Sequence, residues 1–114
     1  MWFVYIIEAI RTSKKHVGEI IYYKGYTNSL IRRWNEHCKG YQSTFMSRYR
    51  IVPRCFVYVE IFQFEWDARK REKELKKLSK KQIMELIDGF RKENPVAFAM
   101  LNDISKHFRR SRPW

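Results

Sequence analysis

Residues 19–40, EIIYYKGYTNSLIRRWNEHCKG, constrain the fold more than any other stretch of the chain. The opening EIIYYKG is rich in β-branched and aromatic residues, which favour a strand. Asn28 or Ser29 can then cap a helix that runs to about Cys38 and ends by Gly40. The stretch therefore predicts a strand followed almost directly by a short helix.

The remaining chain predicts two more strands and three more helices. Strands are expected over 2–8 and 54–62, with the first strand close enough to the second for an antiparallel pair. The helices are predicted from Glu65 over 65–78, from a Ser79–Gln82 capping box through about Phe90, and over 95–108, with residues 41–53 as loop. The order β-β-α-β-α-α-α predicts an α+β domain, a short and mainly antiparallel sheet with helices packed on it.

The net charge of the chain limits the kinds of partner that it is expected to bind. The 114 residues suit one domain, and 24 Lys and Arg against 12 Asp and Glu give a net charge of +12. A surplus of this size favours nucleic acid, an anionic membrane or an acidic protein. No apolar run is long enough to span a membrane, and the N-terminus does not resemble a secretion signal. Cys38 and Cys55 are expected to be buried, reduced thiols of an intracellular protein.

The helix after the second strand carries two polar side chains beside its apolar face. At about 100° per residue, with Leu30 at about 0°, Trp34 falls at about 40° and Cys38 at about 80°. Arg33, at about 300°, and His37, at about 340°, lie at the seam beside that arc. They are candidates for holding a ligand rigidly, although the periodicity is equally compatible with ordinary surface residues.

Two tyrosines can meet on one face of the sheet. If the first two strands pair, the phenols of Tyr5 and Tyr23 can lie close together. Gly25 would let backbone or ligand approach closely. Tyrosines that only pack in the core are the plainer interpretation.

Basic and aromatic residues are interleaved through much of the chain. This arrangement can neutralise phosphates and stack bases, although charged helix faces are often only solvated. The helix over 65–78 also carries Glu72 and Glu74, which flank its apolar arc about equally, so periodicity does not choose between them. A carboxylate there could bind Mg²⁺ or pair with a nearby Lys or Arg. We find no phosphate-binding glycine loop and no zinc-ligand spacing.

Several ordered motifs together resemble the GIY-YIG nuclease domain, above all its small stand-alone members. They are FVY (3–5), YKG (23–25), YTNSLIRRWNEH (26–37), VYVE (57–60) and ARKREKELKKLSKKQ (68–82). The resemblance covers about residues 2–87. It implies a divalent-metal-dependent DNA endonuclease, using Mg²⁺ or Mn²⁺, on a three-stranded antiparallel sheet flanked by helices, with a role in DNA repair or recombination.

The resemblance also implies the site residues. Tyr5 and Tyr23 take the tyrosine positions of the two motifs, Arg33 is the helix arginine and His37 lies one turn later. Glu72 takes the position of the metal-binding glutamate, so the resemblance favours Glu72 over Glu74 as the metal ligand. We expect Tyr5, its pKa lowered by a nearby cation, to act as base on water, His37 to accept or orient its proton, and Tyr23 to position water and phosphate.

Six basic residues are the predicted nucleic-acid contacts: Lys24, Arg32, Lys39, Arg48, Arg50 and Arg71. Phe3 and Lys24 depart from the usual motifs, and Lys24 should face away from Tyr23, as a DNA contact or simply exposed. A catalytically weak or inactive nucleic-acid-binding module is the alternative function.

The C-terminal part lies beyond the resemblance. We predict a nuclease-like domain over 1–90 and a helical extension with a basic tail over 91–114. The last helix is expected to pack on its own domain; if it exposes its apolar residues instead, it can form a homodimer or bind a protein partner.

Overall fold

The computed structural model describes residues 1–39 and 51–110, and side chains within them except those of 39 and 107–110. Over these residues it has three strands, β1 (Trp2–Arg11), β2 (Ile20–Thr27) and β3 (Ile51–Phe62). The helices are α1 (Leu30–Lys39), α2 (Glu65–Lys76), α3 (Lys80–Glu93) and α4 (Pro95–Arg110). The predicted α+β fold with a three-stranded antiparallel sheet is confirmed.

The sheet has the order β2-β1-β3, and β1 pairs antiparallel with both neighbours. In the β1–β2 register, Tyr5 lies opposite Gly25 and Ile7 lies opposite Tyr23. Alternate residues of a strand point to opposite faces. Tyr5, Tyr23 and the glycine position therefore share one face of the sheet.

Several predicted boundaries differ from the structure, three of them by three residues or more. The loop predicted over 41–53 ends earlier, because β3 begins at Ile51; its residues 41–50 lie outside the described part. Pro53 fits because β3 is an edge strand, where a missing N–H costs no ladder bond on the open side. β1 continues to Arg11, and α3 continues to Glu93.

Each face of the sheet has its own apolar core. On the first face, Tyr5, Ile7 and Phe56 pack with Trp34 of α1 and Leu101 of α4. On the second face, Val4, Ile6 and Val57 are buried together with three helix residues. Those residues are Ala68 and Leu75 of α2 and Ile83 of α3. Since a fully buried large apolar side chain stabilises by about 1.5–3 kcal/mol, both cores hold the sheet in place.

Helix α4 packs on the first face, as expected. The backbone N–H of Phe56 donates to Ser105 Oγ at 3.2 Å, and that hydroxyl donates to the Leu101 carbonyl at 2.9 Å. Leu101 and Ile104 join the core that contains Tyr5, while Val96 and Met100 are exposed. The division at residue 90 and a homodimer or partner on α4 stay predictions.

The helix caps follow the sequence signals. Ser79 and Gln82 form the predicted capping box, with Gln82 N–H donating to Ser79 Oγ at 3.2 Å and Ser79 N–H donating to Gln82 Oε1 at 2.8 Å. Helix α4 begins at Pro95, as predicted. None of the helices in the described residues is both long and apolar enough to cross a membrane.

Candidate active site

A buried hydroxyl joins α1 to the central strand. The Tyr5 Oη atom lies 3.0 Å from His37 Nε2, and Arg33 Nε donates to it at 3.2 Å. Tyr5 is fully buried and His37 is almost so. Arg33 and His37 therefore lie one turn apart at the predicted seam of α1, and both contact the same phenol.

Gly25 provides the space for this hydroxyl. A β-carbon at residue 25 would lie 2.6 Å from Tyr5 Cζ and nearer still to its oxygen, well inside van der Waals contact. The glycine therefore lets the Tyr5 side chain lie flat across the neighbouring strand. The close approach expected at Gly25 comes from Tyr5 itself.

Tyr23 completes the cluster. Its ring centroid lies 6.4 Å from that of Tyr5 and 4.9 Å from that of His37, with the imidazole edge-on to the phenol. Tyr23 also interacts with the Arg33 guanidinium. Four of the five residues predicted for catalysis thus contact one another on one face of the sheet.

Burial controls the protonation of Tyr5. It raises the pKa of the phenol above its ordinary value and outweighs the hydrogen bond and charge of Arg33, which lower it, while Tyr23 and Glu72 add to the rise. Arg33 lowers this pKa, as expected of a nearby cation, but burial outweighs it, so the net pKa is raised in the free protein. Tyr5 is a neutral phenol at physiological pH.

His37 and Arg33, the two hydrogen-bond partners of the Tyr5 hydroxyl, differ in charge. Burial lowers the pKa of His37 to about 3, and the Arg33 charge contributes, so the imidazole is neutral. Burial also lowers the pKa of Arg33, but its contacts with Tyr5 and Tyr23 outweigh that effect and raise it. A permanent guanidinium thus lies beside a neutral imidazole that can accept a hydrogen bond from the Tyr5 hydroxyl.

Glu72 and Glu74 differ in environment. The Glu72 side chain is 14% exposed and its Oε1 lies 3.1 Å from Lys76 Nζ, whereas Glu74 is 50% exposed and pairs with Arg71 at 3.6 Å. Helix α2 packs on the face opposite α1, yet the Glu72 charge is close enough to raise the pKa of Tyr5. Of these two acids, Glu72 is the one whose charge reaches Tyr5 of the phenol cluster.

A metal at Glu72 would rely on few protein ligands. No group of three or more His, Cys, Asp or Glu side chains in the described residues could hold a metal ion. Mg²⁺ commonly binds one or two carboxylates and keeps waters and substrate phosphate oxygens as its other ligands. One partly buried carboxylate fits that pattern, provided that Lys76 gives up its ion pair.

The predicted nucleic-acid contacts fall into distinct environments. Lys24 is partly buried on the α2 side, away from Tyr23 as expected, and donates to the Tyr22 carbonyl at 3.1 Å. Burial, followed by the Lys76 charge, lowers its pKa. Arg32 is exposed, 2.6 Å from Asn28 Oδ1 and 3.9 Å from Glu36.

Arg71 lies in an ion-pair network. Its Nε is 3.0 Å from Glu60 Oε2, which also accepts from the Tyr58 hydroxyl at 2.8 Å, and its other partner is Glu74. Its charge is largely compensated by these carboxylates. Arg48, Arg50 and the Lys39 side chain lie outside the described residues.

A groove of about 590 Å³ opens beside the cluster, with Arg32 and Arg33 in its wall. Trp2 and Tyr26, whose ring centroids are 6.0 Å apart, line it, and sequence reasoning did not single out either. It also missed Lys76, although the i,i+4 spacing from Glu72 was a usable signal. Another groove, of about 570 Å³ between β3 and α3, is lined by glutamates and so does not suit phosphate.

Comparison with known proteins identifies the family of the chain. The family model described as the GIY-YIG catalytic domain matches residues 1–86. The chain is similar to UPF0213 proteins from two strains of Pseudomonas aeruginosa, with 32% identity over 88 residues, which cover 77% of this chain and 75% of each relative. No solved structure gives a significant match. The chain belongs to the GIY-YIG catalytic domain family.

Proposed function

We propose that the protein is a metal-dependent DNA endonuclease that hydrolyses phosphodiester bonds. One observation carries the proposal: a charged guanidinium, two phenols and a neutral imidazole meet at the edge of an open groove. Membership of a family of nuclease-type domains supports it, as does the net charge of +12.

Arg33 binds the scissile phosphate in this proposal. Its Nε is engaged by Tyr5, and its Nη1 lies 3.7 Å from Glu36 Oε1, so the guanidinium is oriented from two sides. Its remaining N–H donors suit the non-bridging oxygens of a phosphodiester. The side chain is 23% exposed, which allows contact with DNA in the groove.

Glu72 holds the divalent metal, Mg²⁺ or Mn²⁺. When bound, the metal polarises a phosphate oxygen and stabilises the departing alkoxide. Glu72 then contributes its carboxylate, and Lys76, released from its ion pair, adds a cation near the negatively charged substrate. The low exposure of Glu72 keeps this carboxylate in one orientation.

The proton path divides the work between the two tyrosines. Tyr5 is fully buried, so Tyr23, which is only partly buried, is the phenol that contacts the attacking water. Tyr5 fixes the Arg33 guanidinium and donates a hydrogen bond to the neutral Nε2 of His37, whereas Tyr23 takes up the proton of the water as it releases its own proton to solvent. This revises the simpler expectation that Tyr5 meets the water directly.

A catalytically weak binding module is the second candidate function. Two observations favour it: the phenol at the centre of the cluster is neutral and fully buried, and Glu72 already has a cation partner in Lys76. Such a protein would bind nucleic acid in a salt-dependent way and release no product. Binding alone therefore does not distinguish the two candidates.

A nicking assay separates them. Supercoiled plasmid is incubated with the wild-type protein in Mg²⁺, in Mn²⁺ and in EDTA, and binding to the same DNA is measured in EDTA. We expect nicked circles with either metal and none in EDTA. Salt-dependent binding without nicking under any metal would leave the binding module as the function.

Tyrosine variants test the site assignment. Tyr23→Phe should reduce nicking at least about 100-fold, because general acid–base groups contribute about 10²–10⁴-fold, and should leave DNA binding in EDTA intact. Tyr58→Phe is the matched control, since it removes a phenol hydroxyl that donates to Glu60 outside the cluster. Equal nicking by wild type and Tyr23→Phe would remove Tyr23 from the proposed mechanism.

A further inference from the structure

The exposed face of α2 presents a tryptophan among cations. Trp66 is 74% exposed, and Arg69, Lys70 and Lys73 are exposed beside it. These four residues, here called the Trp66 stripe, line one concavity of about 340 Å³. An exposed indole flanked by cations combines a surface on which a base can stack with charges that can neutralise phosphates.

The Trp66 stripe and the acidic residues of α2 lie on different sides of the helix. With Trp66 at about 0°, the other three fall at about 300°, about 40° and about 340°, whereas the buried Leu75 lies at about 180°. The acids of α2 lie off this arc, at about 80° and about 100° on one side and at about 240° and about 260° on the other. The outward face of the helix is therefore purely cationic and aromatic.

Ion pairing follows the same division. Two α2 cations off the stripe are neutralised, Arg71 by Glu60 and Glu74, and Lys76 by Glu72. Within the described part of the chain, no ion pair involves the three cations of the stripe. The three charges of the stripe are thus available to bind an external anion, whereas the two neighbouring cations form ion pairs within the protein.

The stripe adjoins the candidate active site. Glu65, the first residue of α2, lines the groove that contains Arg33 and lies 3.5 Å from the Tyr26 hydroxyl. Trp66 is the next residue. A ligand strand that leaves this groove over the start of α2 meets the tryptophan first and the cations after it.

We propose that the Trp66 stripe binds single-stranded DNA next to the cleavage site, with Trp66 stacked on an unpaired base. Trp66 and Lys73 are seven residues apart, about 10 Å along the helix, so the three cations can reach phosphates of one strand next to the stacked base. In duplex DNA the bases are already stacked on each other, so an exposed indole gains most from an unpaired one. The inference rests on the proposed function in naming DNA as the ligand and in placing a cleavage site beside the stripe, and it favours substrates with a flap, gap or frayed end.

Binding measured in EDTA tests this without any cutting. The full chain is titrated into labelled (dT)12 and into a 12-base-pair duplex, and anisotropy gives both affinities over a range of salt. Trp66→Ala should weaken (dT)12 binding about 5- to 100-fold, as expected for loss of one stacked base, and should affect the duplex much less. Unchanged (dT)12 affinity in Trp66→Ala would overturn the proposal.

A charge-matched pair of triple variants isolates the stripe. Changing Arg69, Lys70 and Lys73 to Gln should lower the slope of log K against log salt by about 2, at about 0.7 per phosphate. Changing Lys14, Lys15 and Lys106 to Gln removes the same charge from other exposed positions and should leave the slope near wild type. Equal losses in both variants would show a general charge effect and refute the assignment.

Two further outcomes are diagnostic. A poly-glutamate peptide that displaces (dT)12 at equal charge concentration would make the stripe a site for an acidic protein and would overturn the proposal. Binding of (dT)12 through Trp66 by a protein that never nicks DNA would instead support the stripe while refuting the endonuclease. The two proposals can therefore fail separately.

Discussion

Replacing Gly25 by alanine tests the packing on which the site depends. The new β-carbon would lie 2.6 Å from Tyr5 Cζ, about 1 Å closer than the usual separation of about 3.5–4.0 Å between carbon atoms. Tyr5 cannot simply swing away, because it is fully buried and hydrogen-bonded to Arg33 and His37. Either the ring or strand β2 must move.

The expected cost follows from two terms. Overpacking a well-packed core costs about 1–3 kcal/mol, and each hydrogen bond lost from the Tyr5 hydroxyl costs about 1 kcal/mol more. With one or both of these hydrogen bonds lost, a total of about 2–5 kcal/mol corresponds to a fall in Tm of roughly 8–20 °C, at about 4 °C per kcal/mol for a domain of this size. Nicking should fall with it, since the displaced phenol no longer orients Arg33.

Gly89→Ala is the matched control. Gly89 lies inside α3, and a β-carbon there meets nothing within 4 Å, so the substitution should stabilise the helix by up to about 1 kcal/mol. Thermal melts followed by circular dichroism compare both variants with wild type. A Gly25→Ala protein that melts at or above the wild-type temperature would refute the close packing of Tyr5 against β2.

Two other predictions concern His37 and α4. The pKa of His37 is about 3 in the folded protein, below its value in the unfolded chain. Between these values the imidazole binds a proton only in the unfolded chain. The free energy of unfolding should therefore fall as the pH drops below about 6.5, by up to about 1.4 kcal/mol per pH unit. Urea unfolding of wild type and His37→Gln at pH 7.5 and 5.0 measures this, and an equal pH dependence in both proteins would contradict it. Leu101→Ala should lower the free energy of unfolding by about 2–5 kcal/mol, because Leu101 is in the core that contains Tyr5. Met100→Ala is the control and should lower it little, because Met100 is 62% exposed. Equal urea midpoints for the two variants would show that α4 does not support the sheet.

Much of the site follows from periodicity. The helical period alone places Arg33 and His37 on one side of α1. Strand alternation allows Tyr5 and Tyr23 to share one face of the sheet, but the register of β1 and β2 decides it. These local rules work here because α1 follows β2 directly, so few conformations are open to the chain between them. Family resemblance was still needed to prefer Glu72 over Glu74.

The parts that sequence could not supply depend on tertiary contacts. The raised pKa of Tyr5 reflects burial under α1 and the register opposite Gly25, neither of which periodicity gives. The ion pair of Arg71 with Glu60 could not be read from the sequence, because Glu60 lies on another element, 11 residues away. The start of β3 was missed because Pro53 signals a loop unless the strand is known to be at the edge.

The central claim is that Glu72, rather than any nearby acid, works with the phenol–guanidinium cluster to cut DNA. Single-turnover nicking rates of Glu72→Gln and Glu74→Gln in Mg²⁺ test it most directly, because the two residues share one helix and both pair with basic neighbours. We predict a loss of at least about 100-fold for Glu72→Gln, with DNA binding in EDTA retained, and a rate within about threefold of wild type for Glu74→Gln. Equal rates in the two variants, or the larger loss in Glu74→Gln, would contradict the account.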